Sequence, residues 1–242
     1  MSQDNWKNRI EKALLDIAWS HWIRLGAYVG GTECRASVDP EALILLTAIA
    51  ASKDQRLIEV MGQWLQHYES IVNVERLKTA LKITSRDRRS IHAFSTLSGV
   101  LQRSIPARAA KRWSKIFSFL EENSGRSARS VSRVSSPKSS RKLQVHHAVL
   151  AQNALMAFRY AFGVTAKADI LYFLSVYSLQ PKTEAMRSAT GAFIARILHY
   201  DPATTLRALE ELKNAELVIG DESGSERVYA LNLQSPHFYW LP

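Results

Sequence analysis

Apolar residues recur at helical spacing through most of the chain. From about residue 5 to 29, Trp6, Ile10, Leu14, Ile17, Ala18 and Leu25 share a face that Trp19 and Trp22 widen, and Gly30-Gly31 is expected to end this helix. Asp39-Pro40 signals a second start. An Asp carboxylate accepts an orphan backbone N–H, and Pro at the first helical position loses nothing. The helix from Pro40 to about Ala51 is rich in Leu and Ile and should be buried. Asp54 can cap a third helix, whose Leu57, Ile58, Met61, Trp64, Leu65 and Tyr68 form a broad stripe. Asn73 can cap a short fourth one over Val74, Leu77 and Leu81. Asp87 is read as the start of a helix from Arg88 to about Gln102, and Pro106 of another to about Asn123. The latter sets Ala109, Trp113, Ile116 and Leu120 on one face, with Arg108, Lys111, Arg112 and Lys115 mostly on the other. The Trp and Leu stripes are read as core.

The second half changes character. Leu143 to Phe162 reads as one apolar helix that Gly163 ends, and Thr165 caps the next. Ile194 to Leu198 makes a short apolar helix, His199-Tyr200 a turn, and Asp201-Pro202 opens a further helix. Thr205, Leu209 and Leu212 lie on its inner stripe, and it is expected to end near Ala215. Leu217-Val218-Ile219 and Arg227 to Leu231 read as two strands around the turn-rich loop Gly220 to Glu226.

Helix, tight turn, helix and hairpin in that order resemble winged helix-turn-helix transcription regulators. Ile194-Ala195, Asp201-Pro202-Ala203-Thr204-Thr205, Leu209, Leu212 and Leu217-Val218 fall on the apolar and turn positions of their recognition-helix pattern. Ala168 to Leu174 resembles the first helix of such domains, so the likeness covers about residues 165 to 232. Two positions depart from it. His199 stands where the turn normally has Gly, which calls for a left-handed backbone, and Glu216 replaces the usual Gly after the recognition helix. The segment from Asp39 to Leu81 resembles the N-terminal part of uncharacterised bacterial winged-helix proteins that accompany nucleotidyltransferase-like genes of defence or toxin–antitoxin type. That likeness implies a regulatory or antitoxin-like role. The fold expected is therefore mainly α: an N-terminal helical domain over 1–123, a linker over 124–142, and a C-terminal winged-helix domain over 143–242 with a small β-hairpin wing.

Charge sharpens this picture. The formal net charge is +10, yet residues 82 to 142 hold fifteen Lys/Arg against three acids, net +12, while each flanking part is near neutral. A single-sign block of this strength suits a polyanion, and nucleic acid is the commonest one in a cytosol. Its last part, SGRSARSVSRVSSPKSSRK, has eight Ser, six Lys/Arg and no acid, and is expected to be flexible. The single cysteine, Cys34, allows no internal disulfide and no Cys-based metal site. No apolar run is long enough to span a membrane, and the first residues lack a signal peptide's apolar core, so a cytoplasmic protein is expected.

No phosphate-loop, dinucleotide, zinc-protease or nucleophile-elbow motif occurs, so neither an enzyme nor a cofactor is expected. His146-His147 point about 100° apart on a helix and are not read as metal ligands. The expected partner is double-stranded DNA. Ala203, Thr204, Leu206 and Arg207 lie off the core stripe of the recognition helix: Arg207 can donate two hydrogen bonds to a guanine edge, Thr204 can bind a phosphate or a base, and Leu206 can meet a thymine methyl or a protein. In the wing, Arg227 alone offsets Asp221, Glu222 and Glu226. Arg126, Arg129, Arg133, Lys138, Arg141 and Lys142 are expected to grip phosphates. A homodimer is expected because one recognition helix buries too little for specific affinity. The alternative is an antitoxin-like adaptor that binds the product of a neighbouring gene and uses its winged helix as scaffold.

Overall fold

The computed structural model describes residues 3–27, 30–85, 90–124, 149, 152–178, 188–221 and 227–236. It is mainly α-helical with one small antiparallel sheet, and it divides into two compact units, Met1–Ala154 and Leu155–Pro242. The expected linker, apart from Ser124, and the aromatic end of the chain (residues 237–242) lie outside the described residues. So does most of the stretch 143–153. No described helix is long and apolar enough to cross a membrane.

The described helices of the first unit include α1 (Gln3–Arg24), α2 (Pro40–Ala50), α3 (Arg56–Tyr68), α4 (Val74–Thr84), α5 (Ser90–Ser104) and α6 (Ala110–Asn123). Three of these starts obey the polar residue before them. Asp39 Oδ1 accepts the N–H groups of Glu41 and Ala42 at 3.0 and 3.1 Å, Asp54 Oδ1 accepts that of Arg56 at 3.1 Å, and Asn73 Oδ1 accepts that of Arg76 at 3.1 Å. Most residues of the expected stripes face inward: Ala18, Trp22, Leu25, Ile58, Met61, Trp64, Leu65, Leu77, Trp113 and Ile116 are buried. Trp6, Ile10 and Ile17 of the first stripe are exposed instead, because only the C-terminal part of α1 packs on the rest of the unit. The Trp22 and Trp64 rings meet edge to face at 5.8 Å, and the Trp22 indole N–H donates to Thr47 Oγ1 at 2.8 Å.

Two expectations about helix ends are corrected. α1 stops at Arg24 rather than at Gly30-Gly31. Gly26, at φ 92°, takes the left-handed position, and the N–H groups of Ala27 and Gly26 return to the carbonyls of Trp22 and Ile23, each at 2.9 Å. This is the 6→1, 5→2 pattern that satisfies the last carbonyls of a helix. The apolar stretch 143–162 is not one helix either. It is interrupted at Asn153, whose Nδ2 donates to the Val38 carbonyl at 3.0 Å, and the next helix, α7, runs Ala154–Phe162. A tertiary hydrogen bond there overrides local helix propensity.

Charge is buried in this unit in a definite way. The Arg76 guanidinium lies in the core and donates to Glu41 Oε2 at 2.9 Å and to Asp39 Oδ2, while the Asn73 N–H donates to Glu41 Oε1 at 2.7 Å. One carboxylate pair thus fixes the start of α2 against the start of α4. A further cluster ties α1 to α3, where the Trp19 indole and the Arg56 side chain both donate to Asp54. Hydrogen bonding from Arg56 holds the Asp54 carboxyl below its ordinary range, against a smaller opposing effect of burial. A folded-state pKa below the unfolded one gives stability that is present above the unfolded pKa and lost as pH falls through the folded value.

Arg76→Ala leaves Glu41 buried without its cation. It should destabilise the protein by about 3–5 kcal/mol, read as a lower urea midpoint at neutral pH.

Candidate nucleic-acid interface

The second unit is built from α7, α8 (Ala166–Ser178), β1 (Ala189–Thr190), α9 (Gly191–Leu198), α10 (Pro202–Asn214), β2 (Val218–Asp221) and β3 (Val228–Leu231). Thr190 Oγ1 caps α9 by accepting the Phe193 N–H at 3.2 Å. The turn into α10 has the left-handed backbone expected of it: His199 sits at φ 56°, ψ 40°, and the Tyr200 N–H bonds the Ala195 carbonyl at 3.0 Å. Glu216, at φ 58°, does the same after α10, with the Leu217 N–H on the Leu212 carbonyl at 3.0 Å. Asp201 departs from expectation. It occupies the N-cap position of α10, yet its side chain makes no capping bond; its carbonyl instead accepts the Thr205 N–H at 3.0 Å and the Thr205 hydroxyl at 3.2 Å.

The sheet order is β1-β3-β2, antiparallel throughout, with Tyr229 opposite both Ala189 and Gly220. The two-residue β1 has no counterpart among the elements that the sequence pattern predicts. Tyr229 carries the sheet into a core shared with Ile170, Leu174, Ile194, Leu198, Leu209 and Leu212.

Under this core lies a charge that sequence reasoning missed. Asp169 is completely buried on α8, and Arg159 on α7 forms a two-pronged ion pair with it at 2.7 and 2.8 Å. The Tyr200 hydroxyl donates to Asp169 Oδ2 at 2.7 Å. Tyr200 follows His199, so this network fixes the turn between α9 and α10. The only sequence signal was a pair of opposite charges inside apolar helices.

Four of the predicted contact residues come together on α10. Thr205, Ala208, Leu209 and Leu212 are buried, which leaves Ala203, Thr204, Leu206 and Arg207 exposed on the outer side of the first two turns. Leu206 is 47% exposed, and its methyl lies where a side chain on Gly191 would intrude: a Cβ there would come within 2.9 Å of Leu206 Cδ2. Leu206 therefore rests on the start of α9, a packing role the sequence did not suggest. Arg227 is brought to α10 by β3 and ion-pairs with Glu210 at 2.5 Å, with both side chains partly exposed. The remainder of the wing loop, Glu222 to Glu226, and the basic residues Arg126, Arg129, Arg133, Lys138, Arg141 and Lys142 lie outside the described residues. Exposed Lys167 pairs with Glu211 at 2.8 Å on a neighbouring part of α10. Surface pairs of this kind add little stability but set the local field.

No family model, no curated protein and no solved structure matches the chain.

His199→Val places a β-branched residue in the left-handed turn and should cost about 1–2 kcal/mol, seen as a lowered thermal midpoint. Tyr200→Phe removes one hydrogen bond to a buried carboxylate and should cost about 1.5–3 kcal/mol in the same measurement.

Proposed function

We propose that the second unit is a winged helix-turn-helix and that the protein is a transcription regulator binding double-stranded DNA. The observation that carries this reading is α10. Its inner face is locked into the core while Thr204 and Arg207 stand exposed near its N-terminus, where a recognition helix meets base edges. Two features add support. The helix–turn–helix–hairpin order is completed by a small sheet that seats α10, and the turn between α9 and α10 is fixed by a buried ion pair. The net +12 block over residues 82 to 142 supplies the cations for sequence-independent phosphate contacts. In this reading Arg207 reads a guanine, Thr204 a phosphate or a base, and Ala203 permits close approach. Arg227 serves through its pairing with Glu210 rather than as a free wing cation. The linker residues Arg126, Arg129, Arg133, Lys138, Arg141 and Lys142 hold the backbone. No cofactor is invoked, and the site of action is the cytoplasm.

A second reading has an observation of its own. Ile197, Leu206 and Ile219 are large, apolar and about half exposed in the same unit. Such residues favour a protein-docking role, as in an antitoxin-like adaptor.

A salt titration on the protein's own promoter against random duplex separates the two. For a regulator, Arg207→Ala should lower promoter affinity by about 1–3 kcal/mol and relax sequence preference. Neutralising the six linker cations should weaken binding to every sequence and flatten the salt slope by about one unit for each phosphate that is no longer neutralised. Weak, sequence-indifferent binding that moderate salt abolishes would overturn the regulator reading in favour of the adaptor.

A further inference from the structure

α1 is apolar on two faces. Ala18, Trp22 and Leu25 are buried in the first unit, whereas Trp6, Ile10 and Ile17 are 60%, 42% and 45% exposed, and Ala13 between them is exposed as well. Positions 6, 10, 13 and 17 advance by four, three and four residues, the spacing of the seam along which two helices pair. At about 100° per residue these positions span only about 60° of the helix surface, well away from the buried face. Every residue from Asn5 to Ile10 is exposed, so this end of the helix rests on little of its own unit. A helical segment of that length is marginal in water without packing.

Charge on one flank of the seam indicates what covers it. Arg9 and Asp16, both exposed, lie seven residues apart on the same side. When a second α1 runs antiparallel, with Trp6 on Ile17 and Ile10 on Ala13 of the other copy, each Arg9 arrives beside the Asp16 of the other copy. Parallel pairing places Arg9 opposite Leu14 and Asp16 opposite His21, with no carboxylate for the arginine. The surface is therefore self-complementary in one orientation only, as a two-fold interface requires. Room for the largest side chain is also present. Beside Asp16 and Ile17, a groove of about 1180 Å³ opens between α1 and α3, with Trp19, Ile23 and Val60 among its lining residues.

We infer that the protein forms a homodimer through antiparallel pairing of α1 with the α1 of a second copy. Trp6 of each copy seats at the groove beside Ile17 of the other, and the two Arg9–Asp16 pairs set the direction. This interface is separate from the α10 surface and does not depend on DNA binding.

Sedimentation equilibrium of the full chain without DNA, over a micromolar concentration series, tests it. The wild type should sediment at twice the chain mass. Ile10→Glu, an exposed change, should weaken association by about tenfold or more while leaving the circular dichroism spectrum and thermal midpoint of the monomer in place. Arg9→Asp and Asp16→Arg should each weaken association, and the double swap should recover it. A monomeric wild type, a dimer unmoved by Ile10→Glu, or a double swap without recovery overturns the proposal. Should the dimer stand while promoter binding fails, the regulator reading alone falls.

Discussion

The buried carboxylate of Asp169 is the constraint on which the second unit rests. An ionised group with no exposed surface is tolerable only when its lone pairs are met, and here Arg159 and Tyr200 meet them from two directions. The arrangement joins two consecutive helices, α7 and α8, to the turn before α10, which lies much further along the chain. Apolar contacts alone would let α10 slide or rotate slightly, because hydrophobic attraction has no direction. Three directed bonds to one carboxylate remove that freedom. The outward face of α10 therefore inherits its orientation from a charge on the far side of the core.

The first unit uses the same device differently. Arg76 gathers Glu41 and Asp39, and the Asp39 carboxylate caps α2 through Oδ1 while it accepts from Arg76 through Oδ2, so a helix cap and a core ion pair share one carboxylate. Loss of the cation there would expose the cap as well as the pair. In both units, polar groups decide how apolar helices are oriented, and the apolar stripes supply the attraction.

Helix starts were legible because their chemistry is local: Asp39-Pro40, Asn73 and Asp201-Pro202 each mark a start within two residues of the observed one. Most inward stripes were legible for the same reason, since periodicity survives without knowledge of neighbours, but on α1 the period alone did not tell the buried Ala18, Trp22 and Leu25 from the exposed Trp6, Ile10 and Ile17. So was the exposed face of α10. Ends and interruptions were not. Gly26 rather than the more conspicuous Gly30-Gly31 closes α1, because the ladder of carbonyls it satisfies is invisible in composition. Asn153 breaks an apolar run through a bond to Val38, far upstream. The strand β1 depends wholly on β3 for its existence, and the Glu210–Arg227 pair is created when the hairpin folds back on α10. Each of these is a relation between distant residues, which a one-dimensional pattern does not contain.

The strand order has a consequence for the main-chain groups at the side of the sheet. With β3 in the middle, β2 keeps one edge without a strand partner among the described residues. Such an edge is an invitation to a foreign strand when it is long, flat and apolar. Here it is four residues long and ends in Gly220-Asp221, a glycine and a charge. Among the described residues this edge is short, and only its first half, Val218-Ile219, is apolar. The backbone on this side of the sheet therefore offers a second chain few groups to pair with, and side chains rather than main-chain ladders carry what this face can recognise.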